Sequence, residues 1–271
     1  MTLLAHWKLN DGVGTVPTVA ADSAGGGSGD HDGVYTLGAS EGSGCLLLGG
    51  IGGRHLYSTY QQGYVTTFNN ITDLNSIHGS LTLMFWYHRN EGLGWQNGGT
   101  SRTPNCMTSS WSTEADNIPW LTQINATGYP GFSWQYGSSG TTTGTQSCSQ
   151  AVDLAGWTHI TVKRYEISAG YYGIKFYFDG VLVDTIDNGG AGWPAHTGGA
   201  NCQAFIGRDA NNLNPYYCHW FCDSVRLYDE ELSDEDIEDV YEAEAAEMYA
   251  ETVEEGIFGT NDYCGFSEGI F

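Results

Sequence analysis

The chain has 271 residues, 39 of them Gly, and carries 9 Lys+Arg against 32 Asp+Glu, a formal charge of −23. It lacks the clustered cations that a polyanion requires, which excludes nucleic acid as a partner, and no apolar run approaches the roughly 20 residues that a helix needs to cross a bilayer. With 40% hydrophobic and 13% aromatic residues there is apolar mass for a packed core, so global disorder is excluded too.

Met1-Thr2-Leu3-Leu4-Ala5-His6-Trp7-Lys8-Leu9 has no basic n-region, no long apolar h-region and no small-residue cleavage site, so it is expected to be a strand and not a secretory signal. Leu3, Ala5, Trp7 and Leu9 fall on one face and Leu4, His6 and Lys8 on the other, the period-2 pattern of a half-buried strand. Leu81, Leu83, Phe85 and Tyr87 alternate with Thr82, Met84, Trp86 and His88, which predicts a strand apolar on both faces. Phe132, Trp134 and Tyr136 alternate with Ser133 and Gln135, and Ile160 and Val162 repeat the pattern after Trp157. Ile174 to Phe178 and Val181 to Val183 flank Asp179-Gly180, a strong hairpin signal.

One helix is expected near the end. Ser233 can cap it, Asp234, Glu235 and Asp236 fill its first turn, and Ile237, Val240, Tyr241 and Met248 recur at helical spacing. Residues 223–271 hold 17 of the 32 acids and a single base, Arg226, so the charge concentrates there and is expected to be a solvated helix face. The seven cysteines are irregularly spaced. Cys218-x-x-x-Cys222 with His219 lacks a second pair at zinc spacing, which leaves free thiols or disulfides.

The punctuation of the chain resembles that of laminin G-like (concanavalin A-like lectin/glucanase) jelly-roll domains. The opening Ala5-His6-Trp7-Lys8-Leu9-Asn10-Asp11-Gly12, then Ala21-Asp22-Ser23 and Gly29-Asp30-His31-Asp32-Gly33, is similar to theirs. So are Gly156-Trp157-Thr158-His159-Ile160, Phe176-Tyr177-Phe178-Asp179-Gly180, Asp223-Ser224-Val225-Arg226-Leu227-Tyr228 and Leu232-Ser233-Asp234-Glu235. The resemblance implies an all-β, two-sheet antiparallel jelly-roll sandwich with one C-terminal acidic helix and a tail. It places the jelly roll at 1–246 and the helix end and Gly/aromatic tail at 247–271. It also implies that Tyr64-Val65 and Leu81 to Tyr87 are paired inner strands, and that 89–119, 137–150 and 188–203 are long loops.

For chemistry, calcium is the expected cofactor, because hard cations take carboxylate and carbonyl oxygens and Asp22, Asp30 and Asp32 bracket a Gly-rich loop. The resemblance brings closing-strand Asp223 to the same loop; the alternative is that these acids hydrogen-bond their own turn. No Glu-x-Asp-x-x-Glu strand and no Gly-x-Ser-x-Gly elbow occurs, so no catalytic residue is expected. Trp95, Trp111, Trp193, Tyr216 and Tyr217 lie in polar stretches, where they either stack on sugar rings or plug long loops back onto the sandwich. In the tail, Ile257, Phe258, Tyr263, Phe266, Ile270 and Phe271 are regularly placed apolar anchors, expected to dock on a neighbouring subunit or partner, the alternative being that the tail folds back over its own sandwich and covers a sheet edge. The expected function is a non-enzymatic surface module of a virus particle, a bacteriophage decoration or attachment protein, located on the virion surface or outside the cell without a signal peptide. Its expected partners are virion proteins, copies of itself or host glycans. A free carbohydrate-binding module of a cell and a diverged glycoside hydrolase are the alternatives.

Overall fold

The computed structural model describes residues 2–9, 19–24, 31–36, 46–48, 54–58, 64–67, 77, 79–89, 101–108, 120–125, 127–136, 142–153, 156–194, 202–206 and 220–254. In chain order the strands are β1 (Leu3–Trp7), β2 (Val19–Ala20), β3 (Gly33–Thr36), β4 (Leu46–Leu48), β5 (Arg54–Ser58), β6 (Tyr64–Thr67), β7 (Leu81–Arg89), β8 (Ser101–Thr108), β9 (Trp120–Ile124), β10 (Pro130–Tyr136), β11 (Thr142–Ser147), β12 (Thr158–Ser168), β13 (Tyr171–Phe178), β14 (Val181–Ile186), β15 (Trp193–Pro194), β16 (Cys202–Ile206) and β17 (Trp220–Tyr228). They are followed by α1 (Asp234–Glu254). No described helix is long and apolar enough to cross a membrane.

The strands form two antiparallel sheets, as the alternating patterns predict. One runs β14-β13-β12-β7-β17-β5-β4, with β1 on β17 and β15 on β13; the other runs β11-β10-β9-β8-β16-β6-β3-β2. Between them lies a core that includes Trp7, Leu81, Leu83, Phe85, Tyr87, Phe132, Trp134, Ile160, Val162, Ile174 and Phe176. Burying one such side chain contributes about 1.5–3 kcal/mol.

The first sheet is covered on its outer face as well. Met84, Tyr177, Tyr228, Leu232 and Ile237 form a second apolar cluster, with Leu3 and Val240 packed on it, and Trp86 and Ala245 form a third, with Trp157 and Tyr241. Here α1 lies across the sheet. That explains why β7 is apolar on both faces: its odd-numbered residues face the sandwich core and Met84 and Trp86 face the helix. The helix starts at a reciprocal cap, in which Asp236 N–H donates to Ser233 Oγ at 3.0 Å while Ser233 donates to Asp236 Oδ2 through both its N–H and its hydroxyl. Lys163 Nζ anchors this end by donating to Leu232 O and Asp234 Oδ1, and the Tyr177 hydroxyl donates to the same Asp234 oxygen.

Asp179-Gly180 forms the expected hairpin turn, with φ of 49° and 77°, the two successive left-handed residues of a type I′ connection. Gly180 also faces the helix, since a Cβ there would stand 3.1 Å from the Tyr241 ring.

Several expectations are corrected. β6 and β7 are not paired: β6 lies between β3 and β16 in one sheet, and β7 between β12 and β17 in the other. The stretches 89–119, 137–150 and 188–203 contain strands β8, β11, β15 and β16. β1 does not keep strict alternation, because a register irregularity between Leu3 and Ala5 turns Leu3 to the helix side and Leu4 to the sandwich core. His6, on the face expected to be open, is buried. Val181 and Leu182 are apolar by sequence but 65% and 41% exposed, because among the described residues β14 is the edge of its sheet.

Candidate functional site

The densest polar constellation in the described residues lies between the first sheet and α1, and a break in the strand pairing creates it. β17 pairs Asp223 with Trp86 and Arg226 with Met84, so it carries one residue more than β7 between those pairs. The extra residue makes a bulge, which re-aims side chains, and Ser224 sits in it at φ 42°. As a result Ser224 points under the helix, where Glu244 comes down to meet it.

Glu244 is 2% exposed. Its Oε1 accepts from Ser224 Oγ at 2.5 Å and Arg226 Nε at 2.6 Å, and its Oε2 accepts from Trp86 Nε1 at 2.8 Å. Two imidazoles close the shell, with His6 Nε2 at 4.0 Å and His159 Nε2 at 3.8 Å from the carboxylate. His159 is held by rings, with Trp86 centred 5.2 Å away and Tyr241 5.7 Å away. Burial pushes both imidazoles down to about 3, aided by the nearby Arg226 guanidinium, so both are neutral. For Arg226 burial acts against the charge, but Glu244 more than offsets it and the guanidinium is held above its ordinary value.

Serine, histidine and glutamate side by side are the residue types of acyl-transfer catalysis, yet the order here is wrong for it. His6 Nε2 is 3.0 Å from Ser224 Oγ, and that hydroxyl already donates its proton to Glu244. The neutral imidazole must therefore donate to the serine oxygen, and a nitrogen that carries the proton cannot serve as a base for it. Ser224 is also 2% exposed, beneath a helix. The constellation fastens α1 to the sheet.

A second polar node ties the N-terminal loop. Asp22 Oδ1 accepts from His6 N at 2.8 Å and Ala24 N at 3.0 Å, and its Oδ2 accepts from His31 Nδ1 at 2.9 Å. Asp32 Oδ1 accepts from Asp22 N at 2.7 Å, and Trp7 Nε1 donates to His31 O at 2.8 Å. Burial raises the Asp22 carboxyl, but these hydrogen bonds together hold it below its ordinary value. Asp223 is buried, and its Oδ1 accepts from Ser224 N. Among the described residues no group of three or more His, Cys, Asp or Glu side chains is placed to hold a metal ion. Asp22, Asp32 and Asp223 are not gathered into such a group, and Asp22 bonds its own turn; Asp30 lies outside the described residues.

The remaining sequence candidates divide simply. Trp193 belongs to strand β15 rather than to a loop, opposite Tyr172 of β13. Trp95, Trp111, Tyr216 and Tyr217, and the anchors Ile257, Phe258, Tyr263, Phe266, Ile270 and Phe271, lie outside the described residues. Cys148 and Cys222 are buried free thiols, both pushed up by burial and so unreactive. Sequence reasoning missed Glu244. The signal was present: Glu244 continues the stripe of Ile237, Val240, Tyr241 and Met248, and Arg226 is the one base in that part of the chain.

A family profile described as the concanavalin A-like lectin/glucanases superfamily, laminin G type, matches residues 58–238. A search of curated proteins finds no match. Among solved structures, the chain is similar to a botulinum neurotoxin type C structure whose cell entry is described as dependent on two ganglioside molecules (TM-score 0.57, 13% identity, 90% of this chain and 51% of that one). It is also similar to the botulinum neurotoxin type G receptor-binding domain (TM-score 0.57, 10% identity, the same coverage). A third is the binding domain of botulinum neurotoxin DC in complex with SialylT (TM-score 0.58, 14% identity, 90% and 51%). At these identities the likeness is one of fold, and the chain spans about half the length of those it matches.

Two outcomes are expected from the buried node. Glu244→Ala strands the Arg226 guanidinium and the Trp86 and Ser224 donors, and is expected to cost about 3 kcal/mol in urea unfolding; a loss under about 1 kcal/mol contradicts this role. The imidazoles set a pH dependence. With folded values about 3 against an ordinary value of 6.5, the unfolded chain takes up protons first, so stability is full above pH 6.5 and falls as pH drops towards 3. The slope is at most about 1.4 kcal/mol per pH unit for each imidazole. Unfolding series from pH 7 to 4 on the wild type and His159→Phe check it: the variant gives the flatter curve, and a flat wild-type curve refutes the assignment.

Proposed function

From the premise that the chain belongs to the concanavalin A-like lectin/glucanases superfamily, we propose that it is a non-enzymatic module that recognises glycans. The non-enzymatic half rests on the inverted Ser224, His6 and Glu244 arrangement, which has catalytic residue types but no free base, no oriented nucleophile and no access. The recognition half draws support from the solved structures of the same fold, described as receptor-binding domains and, in one case, as a complex with SialylT. Those chains are about twice as long, so their ligands suggest a class of chemistry and no particular subsite.

The setting we propose is the surface of a virus particle, with virion proteins or further copies of the chain as neighbours. The charge supports it: 32 acids against 9 bases keep a surface hydrated and away from packaged nucleic acid.

On a glycan array the purified protein is expected to bind a subset of glycans, and in solution to release no reducing ends from them. Hydrolysis abolished by replacing one acid would overturn the non-enzymatic reading, and an array without any signal would overturn recognition. Peptides of this chain in density-purified particles support the virion setting, and their absence removes it.

A further inference from the structure

Helix α1 is fastened to the first sheet at two points of different chemistry. At its start Lys163 Nζ donates to Leu232 O and Asp234 Oδ1, the Tyr177 hydroxyl donates to the same carboxylate, and Leu232 N donates to Thr82 Oγ1 at 3.0 Å. The ammonium and the hydroxyl hold the Asp234 carboxyl below its ordinary value, so this end keeps its charges into weak acid. Further along, the second fastening is the Glu244 node, which includes the imidazoles of His6 and His159, groups of the kind that titrate in weak acid. The sandwich core is separate from both points. Its cluster holds no residue of α1, and the helix packs in the two outer clusters, with Ile237 and Val240 near its start and Tyr241 and Ala245 beyond.

His159 is 0% exposed, and neither of its ring nitrogens has a hydrogen-bond partner. Glu244 Oε2 is 3.8 Å from Nε2, beyond hydrogen-bond reach, and the Trp86 and Tyr241 rings lie against the imidazole. A ring sealed in this way forgoes the hydrogen bonds that water would give it, and lifting the helix restores them. The charges around the two imidazoles leave no place for a proton. His159 is faced by Glu244 and Arg226, with Asp179 bonded to its main-chain N–H. His6 is faced by Glu244, Arg226 and Lys8, with Asp22 bonded to its main-chain N–H. Asp223 is bonded to the Ser224 N–H, and the Tyr228 hydroxyl is bonded to Arg226. Burial opposes a proton on both rings most strongly and Arg226 next; at His6, Lys8 adds to this and Asp22 acts against it. Glu244 does not redress the balance, because Arg226 at 2.6 Å already matches its charge and its oxygens already accept from three donors. A protonated imidazole is thus a cation without a carboxylate of its own unless water enters the seam.

We infer that α1 is an acid-opened flap: it pivots on its Lys163 and Asp234 end, and proton uptake by His159 and His6 lifts the part from Tyr241 onward off Trp86 and the Ser224 bulge while the sandwich stays folded. The flap requires nothing of the glycan reading above. Closed, both rings take a proton at about 3; open and hydrated, they take it at their ordinary 6.5. Each ring therefore raises the opening constant by at most about tenfold per pH unit below 6.5, about a hundredfold by pH 4.5, and the two together by about 10⁴-fold. The Asp234 anchor keeps its charge over the same interval, which makes the motion a hinge rather than a release.

Hydrogen exchange of the full chain, followed by mass spectrometry from pH 7 to pH 4.5 and corrected for the chemical exchange rate, reads the opening directly. The expected result is a loss of protection in peptides covering 241–254 as pH falls, with β7, β12 and β13 still protected, and recovery on return to pH 7. His159→Phe keeps a ring in the same packing without a titrating nitrogen, and is expected to remove about a hundredfold of the change at pH 4.5. His6→Gln, whose amide still donates to Ser224, should remove a similar amount. If His159→Phe does not fold, His6→Gln decides. Protection of 241–254 that is unchanged down to pH 4.5, or that is lost in step with the sandwich strands, overturns the flap. Acid opening that the folded variants keep in full overturns it too, since the imidazoles are then not its trigger.

Discussion

A carboxylate almost fully removed from water is stable only if nearby donors replace the water it has lost, and Glu244 imposes that constraint on four separate strands. Trp86 of β7, Ser224 and Arg226 of β17 and, at longer range, His6 of β1 and His159 of β12 all converge on it. The bulge at Ser224 follows from the same need. Without the extra residue, Ser224 would keep the alternation of a regular strand, and the Glu244 oxygen would lose a donor. A left-handed serine costs of order 1–3 kcal/mol, comparable to leaving a buried carboxylate oxygen unsatisfied. The node also sets the register of α1: a helix packed only through Ile237, Val240 and Tyr241 could slide, whereas a single carboxylate among fixed donors admits one position.

Period-2 patterns read on Leu81 to His88, Phe132 to Tyr136 and Ile174 to Val183 were enough to obtain two antiparallel sheets, because apolar burial acts residue by residue and leaves its trace in order along the chain. Asp179-Gly180 and the Ser233 cap were legible for the same reason, being decided within four residues. What escaped is what pairing across the sheet decides. The separation of β6 from β7 into opposite sheets leaves no local mark, nor does the slip that turns Leu3 towards the helix. Glu244 is intermediate: its place on the apolar stripe was visible, but the run of acids around it hid that one of them has a different environment.

The candidate site was less legible than the fold. Asp22, Asp30 and Asp32 have the residue types of a calcium loop, yet a carboxylate is as good an acceptor for N–H groups as for a cation. The amides of His6 and Ala24 and the ring of His31 occupy Asp22 in this way. Composition cannot distinguish these uses, since both need an acid in a Gly-rich turn; only the direction of the neighbouring donors does. Trp193, expected to stand in a loop, is paired to Tyr172. The close packing of the Tyr165 ring against Gly173 is likewise a relation between β12 and β13 that no window of sequence contains.

One physical asymmetry connects these features. α1 covers the outer face of the first sheet around Met84, Trp86 and Tyr177, and its helical acids other than Glu244 extend the negative field beyond it. The rows further from the helix, Lys163 with Lys175 and Tyr165 with Gly173, hold two of the three lysines in the chain. Lys163 is drawn under the helix end by Asp234 and the Leu232 carbonyl, and the half-buried Lys175 lies over the Tyr165 ring. A surface with so few cations has little means of attracting anionic ligands over distance. The glycan recognition proposed for such a surface therefore has to depend on short-range stacking and hydrogen bonding rather than on charge.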